Sequence, residues 1–163
     1  MSELCGERVV LRPATEDDVS RLAEILTEPD VARWWGTYDT ARVRDELEDT
    51  YAIVIDEEVQ GWLMASEETE PDYRHVGFDI ALATAMHGRG YGPEALRVAI
   101  RHFAAEGHHR FTIDPAAQNE RAIGAYSRVG FKPVGVMRRY ERGPDGTWHD
   151  GLLMDLLIDE LRE

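Results

Sequence analysis

The sequence predicts an α/β (α+β) fold, a mixed β-sheet covered by helices, and three observations carry that expectation. Two segments repeat apolar residues at the helical spacing: Val19, Leu22, Ala23 and Leu26, then Leu96, Ala99, Ile100, Phe103 and Ala104. Short runs rich in β-branched and aromatic residues lie between and around them, such as Tyr51 to Ile55 and Val76 to Ala83. The two patterns interleave as β-α-α-β-β-β-α-β-α-β-β, an order that suits neither a sandwich nor a helical bundle.

In chain order, Val9 and Leu11 alternate with polar neighbours as a first strand before Pro13, and Thr15 with Asp18 forms a capping box that opens a helix. Pro29 ends that helix. A looser helical segment around Val43 and Leu47 precedes two strands, Tyr51 to Ile55 and Val59 to Ser66, joined as a hairpin at Asp56 to Glu58. Acidic residues 67 to 72 form a solvated loop before strand Val76 to Ala83. A glycine cluster then leads into the clearest helix, with Pro93 in its first turn and Gly107 at its end. Strand Arg110 to Asp114, helix Asn119 to Val129 closed by Gly130, strand Phe131 to Met137, a turn at Pro144-Asp145-Gly146 and strand Leu152 to Ile158 complete the chain.

A chain of 163 residues can bury a core without disulfides, and no repeat, linker or low-complexity tract divides it, so residues 1–163 read as one domain. The single cysteine, Cys5, has no partner, which fits a reducing cytoplasm. No apolar run approaches the roughly 20 residues that span a bilayer, so no membrane association is expected. The net charge of −14 opposes nucleic-acid binding and favours cationic partners, although acidic surfaces also serve solubility alone. The six histidines form no HExxH or Cys/His ligand spacing, so no metal is expected.

The chemical signal lies between Phe78 and Phe131. His87-Gly88-Arg89-Gly90-Tyr91-Gly92 joins a strand to a helix N-terminus, where free amides and the helix dipole favour an anion and glycines permit close approach and positive φ. Alone, the same loop is equally an ordinary glycine-rich turn; position 93 is Pro where a Rossmann fingerprint has Gly, and no Walker Lys follows.

Together with Asn119-Glu120-Arg121-Ala122-Ile123, Tyr126 and Val129-Gly130-Phe131, the loop resembles the acetyl-CoA signature of the GNAT superfamily of N-acetyltransferases over roughly residues 76 to 135. Where that family's loop usually begins with Gln or Arg, this chain has His87, with Arg89 two residues on to supply charge. The resemblance implies the GNAT fold, a mixed central sheet of about seven strands with helices on both faces and a splay between strands Val76 to Ala83 and Arg110 to Asp114. It further implies acetyl-CoA as co-substrate. Its diphosphate would sit on His87, Gly88, Arg89, Gly90, Tyr91 and Gly92, its pantetheine would pair with the backbone at Leu82 and Ala83, and Asn119, Ala122 and Tyr126 would line its arm. Asn119 is equally a plain helix cap, and Tyr126 lies on an apolar stripe that also fits the core.

Amide formation from a thioester needs an uncharged amine, a stabilised oxyanion and a proton for the thiolate. Tyr126 is the candidate proton donor. Asp79 and Asp114 each interrupt an apolar strand, where carboxylates are usually paired or functional; Asp114 before Pro115 also reads as a turn residue. The segments Gly77-Phe78-Asp79, Thr112-Ile113-Asp114-Pro115 and Trp34-Trp35-Gly36 resemble the aminoglycoside 6'-N-acetyltransferase branch. That resemblance implies Asp79 as general base, Asp114 as the carboxylate that orients a polycationic substrate, and Trp34 and Trp35 at the substrate mouth, with the two aspartate roles exchangeable. A Trp pair ending a helix is also ordinary core, and siderophore-type acyltransferases carry one too. Residues Thr147 to Met154 resemble a run in acetyltransferases of protein N-termini, which keeps the acceptor open, and an acyl-CoA-binding sensor without turnover is the alternative outside enzymology. A monomer or homodimer is expected.

Overall fold

Proline and glycine punctuate the chain where the sequence places them, and the elements between them form one twisted sheet. The computed structural model describes residues 1–163, with strands β1 (Leu4–Cys5), β2 (Val10–Pro13), β3 (Thr50–Ile55), β4 (Glu58–Glu68), β5 (His75–Leu82), β6 (Arg110–Ile113), β7 (Lys132–Arg142) and β8 (Trp148–Leu157). Its helices are α1 (Val19–Leu26), α2 (Pro29–Trp35), α3 (Thr40–Asp45), α4 (Tyr91–Ala105) and α5 (Glu120–Val129). The strands lie in the order β1-β2-β3-β4-β5-β6-β8-β7. Only β5 and β6 run parallel; every other neighbouring pair is antiparallel.

Helices cover both faces. Val76, Phe78 and Leu63 pack with Leu96, Ala99, Ile100 and Phe103 of α4 in one core, and Trp62 and Ala81 pack with Leu22, Leu26, Val31 and Val43 of α1, α2 and α3 in the other. Adjacent residues of β4, Trp62 and Leu63, thus serve opposite cores, as the period of two requires.

Several details differ from the sequence expectation, among them that β4 runs on through Glu68 into the stretch read as an acidic loop and that α3 ends at Asp45, before Leu47. The sheet has eight strands where about seven are expected, because β1 is two residues long and too short to carry a pattern. Pro29 ends nothing in isolation: α1 closes at Leu26, and Pro29 opens α2, where its fixed φ and missing N–H suit a first helical turn. Finally, β7 runs on to Arg142 and β8 starts at Trp148, making a longer hairpin than the apolar residues mark, since residues 138 to 142 are charged or aromatic and all exposed.

The turn into α1 is held by Asp18, which is almost fully buried. Its carboxylate accepts both guanidinium nitrogens of Arg12, at 2.7 and 2.8 Å, and the Thr15 amide at 2.8 Å. The Arg12 guanidinium, together with the Thr15 amide, holds this carboxyl below its ordinary range despite its burial. A carboxylate with a depressed folded pKa contributes stability above the unfolded value near 4, and that contribution is lost as pH falls through the folded value. Asp18→Ala is expected to lower unfolding free energy by about 3 kcal/mol at pH 7 by stranding Arg12, with a smaller deficit in acid. Denaturant titrations at both pH values check this.

Candidate active site

The site begins where β5 and β6 part. Their parallel register runs only from Val76 opposite Phe111 to Phe78 opposite Ile113, after which β5 continues to Leu82 while β6 ends. The splay opens a cleft of about 1150 Å³. Of the residues singled out from sequence, Trp34, Trp35, Asp79, Leu82, His87, Gly88, Gly90, Tyr91, Gly92, Asp114, Asn119, Ala122 and Tyr126 line it. Ala83 and Arg89 do not.

Parity explains which backbone groups face the gap. The Ala83 amide donates to the carbonyl of Gln60 in β4 at 2.7 Å, and its carbonyl accepts from the Met86 amide at 2.9 Å. Ala83 therefore has no backbone group left for a ligand, a correction to the pairing expected there. Residues alternate along β5, so with Ala83 turned towards β4, the polar groups of Ile80 and Leu82 turn towards the gap. The Leu82 carbonyl is already met by His87 Nε2 at 2.8 Å. His87 thus acts within the chain, tying the loop to the end of β5. Burial, opposed by the bond to Leu82, lowers its pKa, which favours the neutral ring.

The loop that follows has the backbone to receive an anion. Gly88 and Gly90 adopt φ of +70° and +83°, a region that other residues resist, whereas Gly92 sits in ordinary helical backbone. Only two of the three glycines are therefore required by conformation. None of the amides from Gly88 to Gly92 donates to an acceptor in the chain, so five consecutive N–H groups are left free at the start of the 15-residue α4. Arg89 lies outside the cleft with its guanidinium 5.2 Å from the Tyr91 ring centroid, and Arg8 lies 4.5 Å from the same centroid while donating to the Arg89 carbonyl. Arg8 was not apparent from sequence, because it comes from the distant β1–β2 turn.

Asn119 caps α5, its side-chain oxygen accepting from the Ala122 amide at 3.2 Å, while its amide nitrogen has no partner in the chain. The capping role and a ligand contact thus use different ends of one side chain. Tyr126, on α5, packs against Phe131 at the edge of the α4 core and also lines the cleft. Burial first, then the Asp79 and Asp114 charges, push its phenol well above the ordinary range, so it holds its proton at neutral pH.

On the other face of the sheet, Asp79 shares the side of β5 occupied by Ala81, and Asp114 follows Ile113 so that it faces the same way. Solvent reaches Asp79 through the cleft mouth, yet protein crowds it on the remaining sides. That burial, followed by the charges of Asp114, Glu141 and Glu46, pushes its carboxyl up to about 6. Asp114 accepts a bond from the Tyr140 hydroxyl at 2.6 Å. Glu141 is also raised, first by burial and then by Asp114.

Glu46, Tyr140, Glu141 and Arg121 line the cleft without having been foreseen. Arg121 lies inside the Asn119-to-Ala122 motif and could have been named; the others come from the C-terminal cap of α3 and from the charged end of β7, where no apolar period marks a structured element. The Trp pair divides in function. The Trp35 ring is locked at 5.6 to 5.8 Å from Trp62 and Tyr38, so it belongs to the core as much as to the cleft. Trp34 is half-buried on the cleft wall and carries the Arg33 guanidinium 4.6 Å from its ring centroid.

The sequence model of the acetyltransferase (GNAT) domain matches residues 8–132. Mycothiol acetyltransferase of Corynebacterium glutamicum is 26% identical over 101 residues, 60% of this chain and 34% of that protein. The [ribosomal protein bS18]-alanine N-acetyltransferase of Haemophilus ducreyi is 26% identical over 81 residues, 50% of this chain and 56% of that one. The chain thus covers about a third to just over half of the length of these curated relatives. In fold it is similar to Mycobacterium smegmatis RimJ, solved with CoA-disulfide, with a TM-score of 0.85 at 22% identity over 100% of this chain and 93% of that one. It is likewise similar to AAC(6')-Ib, solved with paromomycin and acetyl-CoA, with a TM-score of 0.77 at 24% identity over 94% and 96% of the two chains. A splayed parallel pair, a nest of free amides at the head of α4 and a family match spanning most of the sequence agree, and the chain belongs to the GNAT acetyltransferase family.

Proposed function

We propose that the chain transfers an acetyl group from acetyl-CoA to a primary amine of a polycationic small molecule, with the 6'-amine of aminoglycoside antibiotics as the acceptor. The observation that carries the reading is the cluster of carboxylates around Asp79 in the cleft: burial and then the charges of Asp114, Glu141 and Glu46 raise the proton affinity of Asp79, and burial followed by Asp114 does the same for Glu141. Beside them stand the indoles of Trp34 and Trp148, which offer apolar faces to sugar rings.

The amides of Gly88 to Gly92 fit the diphosphate, and the edge of β5 at Ile80 and the Leu82 amide fits the pantetheine amides. When bound, acetyl-CoA supplies the activated thioester. Asp79, with a pKa near 6, takes a proton from the acceptor ammonium, directly or through water, and so frees the lone pair of the attacking amine. Asp114 holds the acceptor in line. As the new C–N bond forms and the C–S bond breaks, Tyr126 passes its proton to the departing thiolate. Tyr126→Phe is expected to lower kcat by about 10²-fold while leaving the KM for acetyl-CoA within twofold. Steady-state kinetics with each substrate varied separate the two.

The relation to the bS18-alanine N-acetyltransferase favours a second reading, in which a protein N-terminus enters the open cleft. Thiol release with kanamycin, tobramycin, spermidine and a basic peptide decides between them. Rapid release with the antibiotics supports the first reading, release only with the peptide supports the second, and binding of acetyl-CoA without release to any amine points to a sensor.

A further inference from the structure

Adjacent residues of a strand point to opposite faces, yet Tyr140 and Glu141 of β7 both line the cleft. A break in the β7–β8 ladder explains this. Met137 pairs with Gly151 and Glu141 with His149, so three residues of β7 stand opposite Asp150 alone. Arg139, inside the break, has φ of +48°, and its amide donates to Asp150 Oδ1 at 2.8 Å. Bulges of this kind re-aim side chains and recur beside active sites.

The side chain re-aimed here is Tyr140. Its ring lies on Gly151, where an added Cβ would come within 2.9 Å of Tyr140 Cδ2. From there its hydroxyl donates to Asp114 Oδ2 at 2.6 Å, while Oδ1 accepts no bond within the chain. The segment after Asp114 is tied to the same hairpin: the Leu152 amide donates to the Pro115 carbonyl and the Ala117 amide to the Asp150 carbonyl, each at 2.9 Å. Asp114 and Tyr140 are therefore anchored to one piece of backbone.

We infer that Tyr140 is a positioning residue: its hydroxyl fixes one oxygen of Asp114 so that the other faces a cationic group of the acceptor. This rests on the proposed substrate role of Asp114. The bulge at Arg139 and the absent side chain of Gly151 leave room for the phenol there, which assigns specificity to a hairpin outside the acetyl-CoA half of the domain. The bond to Asp114, with burial and the nearby Asp79 and Glu141 charges, pushes the Tyr140 phenol up to about 12.

Two measurements test this. The first needs no acceptor: with 13C-labelled tyrosine, the Tyr140 ring carbon of the wild type should stay in its protonated position through pH 11, whereas in Asp114→Asn it should begin to ionise near pH 10. Equal titration in both proteins overturns the contact. The second is a double-variant kinetic cycle with the best amine of the panel. Tyr140→Phe, which keeps the ring on Gly151, should raise the acceptor KM about tenfold and leave the KM for acetyl-CoA unchanged, and in the Asp114→Asn background it should add less than a twofold effect. An unchanged acceptor KM, or a full tenfold loss on top of Asp114→Asn, overturns the positioning role. A wild type that acetylates no amine fails the proposed activity instead, and the tyrosine titration still decides the contact.

Discussion

Asp79→Asn is expected to lower kcat/KM by about 10²- to 10⁴-fold, the span associated with loss of a positioned general base. The substitution preserves size and removes only the ability to take a proton. The pH dependence makes the assignment specific. With a carboxyl raised to about 6, the wild-type kcat/KM should climb as pH rises through 6, because only the ionised form accepts the proton, and that limb should vanish in the variant. The same variant should melt at a higher temperature than the wild type at pH 8. A carboxyl whose folded pKa exceeds its unfolded value binds its proton more tightly when folded, so the stability this brings is present below about pH 4 and is lost as pH rises through about 6. Above that range, the ionised Asp79 repels Asp114, Glu141 and Glu46, and the amide relieves the repulsion. Lost turnover with gained thermal stability marks a residue kept for chemistry. A loss confined to KM would move Asp79 to substrate binding and leave the base to Asp114.

Gly90→Val should weaken acetyl-CoA binding about 100-fold. Gly90 is the left-handed cap of α4, and a β-branched residue at φ of +83° is strained even before its Cβ meets Arg8 Nη2 at 3.2 Å. The loop must shift, and one or two of the amides from Gly88 to Gly92 then lose their aim at a charged ligand, a loss of about 3 kcal/mol. Gly92→Ala is the matched control. Its φ is ordinary and its new Cβ would rest 3.6 Å from Leu82 Cδ1, so affinity should stay within twofold of wild type. Calorimetric titration of the three proteins distinguishes a conformational requirement from a general sensitivity of the loop.

The cofactor half of the cleft was the legible half, and the reason is local. The amides that form the nest are contiguous, the glycines that shape it are their own signal, and Asn119 caps the helix that carries Tyr126. Asp79 and Asp114 were legible because each is a charge in an apolar run. The register of β5 against β6 then places them on one face without any further information from sequence. What local pattern could not show is anything that depends on backbone already satisfied elsewhere. Ala83 reads as available for pairing, but Gln60 and Met86 take its amide and carbonyl, and the ring of Trp35, which lines the cleft, is also held by Trp62 and Tyr38. The acceptor half was least legible. Tyr140 and Glu141 reach the cleft only because two extra residues break the ladder of β7, in a stretch whose charges hide that it is a strand at all.

Titration calorimetry of the purified chain with acetyl-CoA and with coenzyme A tests the central claim most directly. One molecule of either ligand should bind per chain, with a heat that is strongly reduced in Gly90→Val. No detectable heat from either ligand up to about millimolar concentration would contradict it.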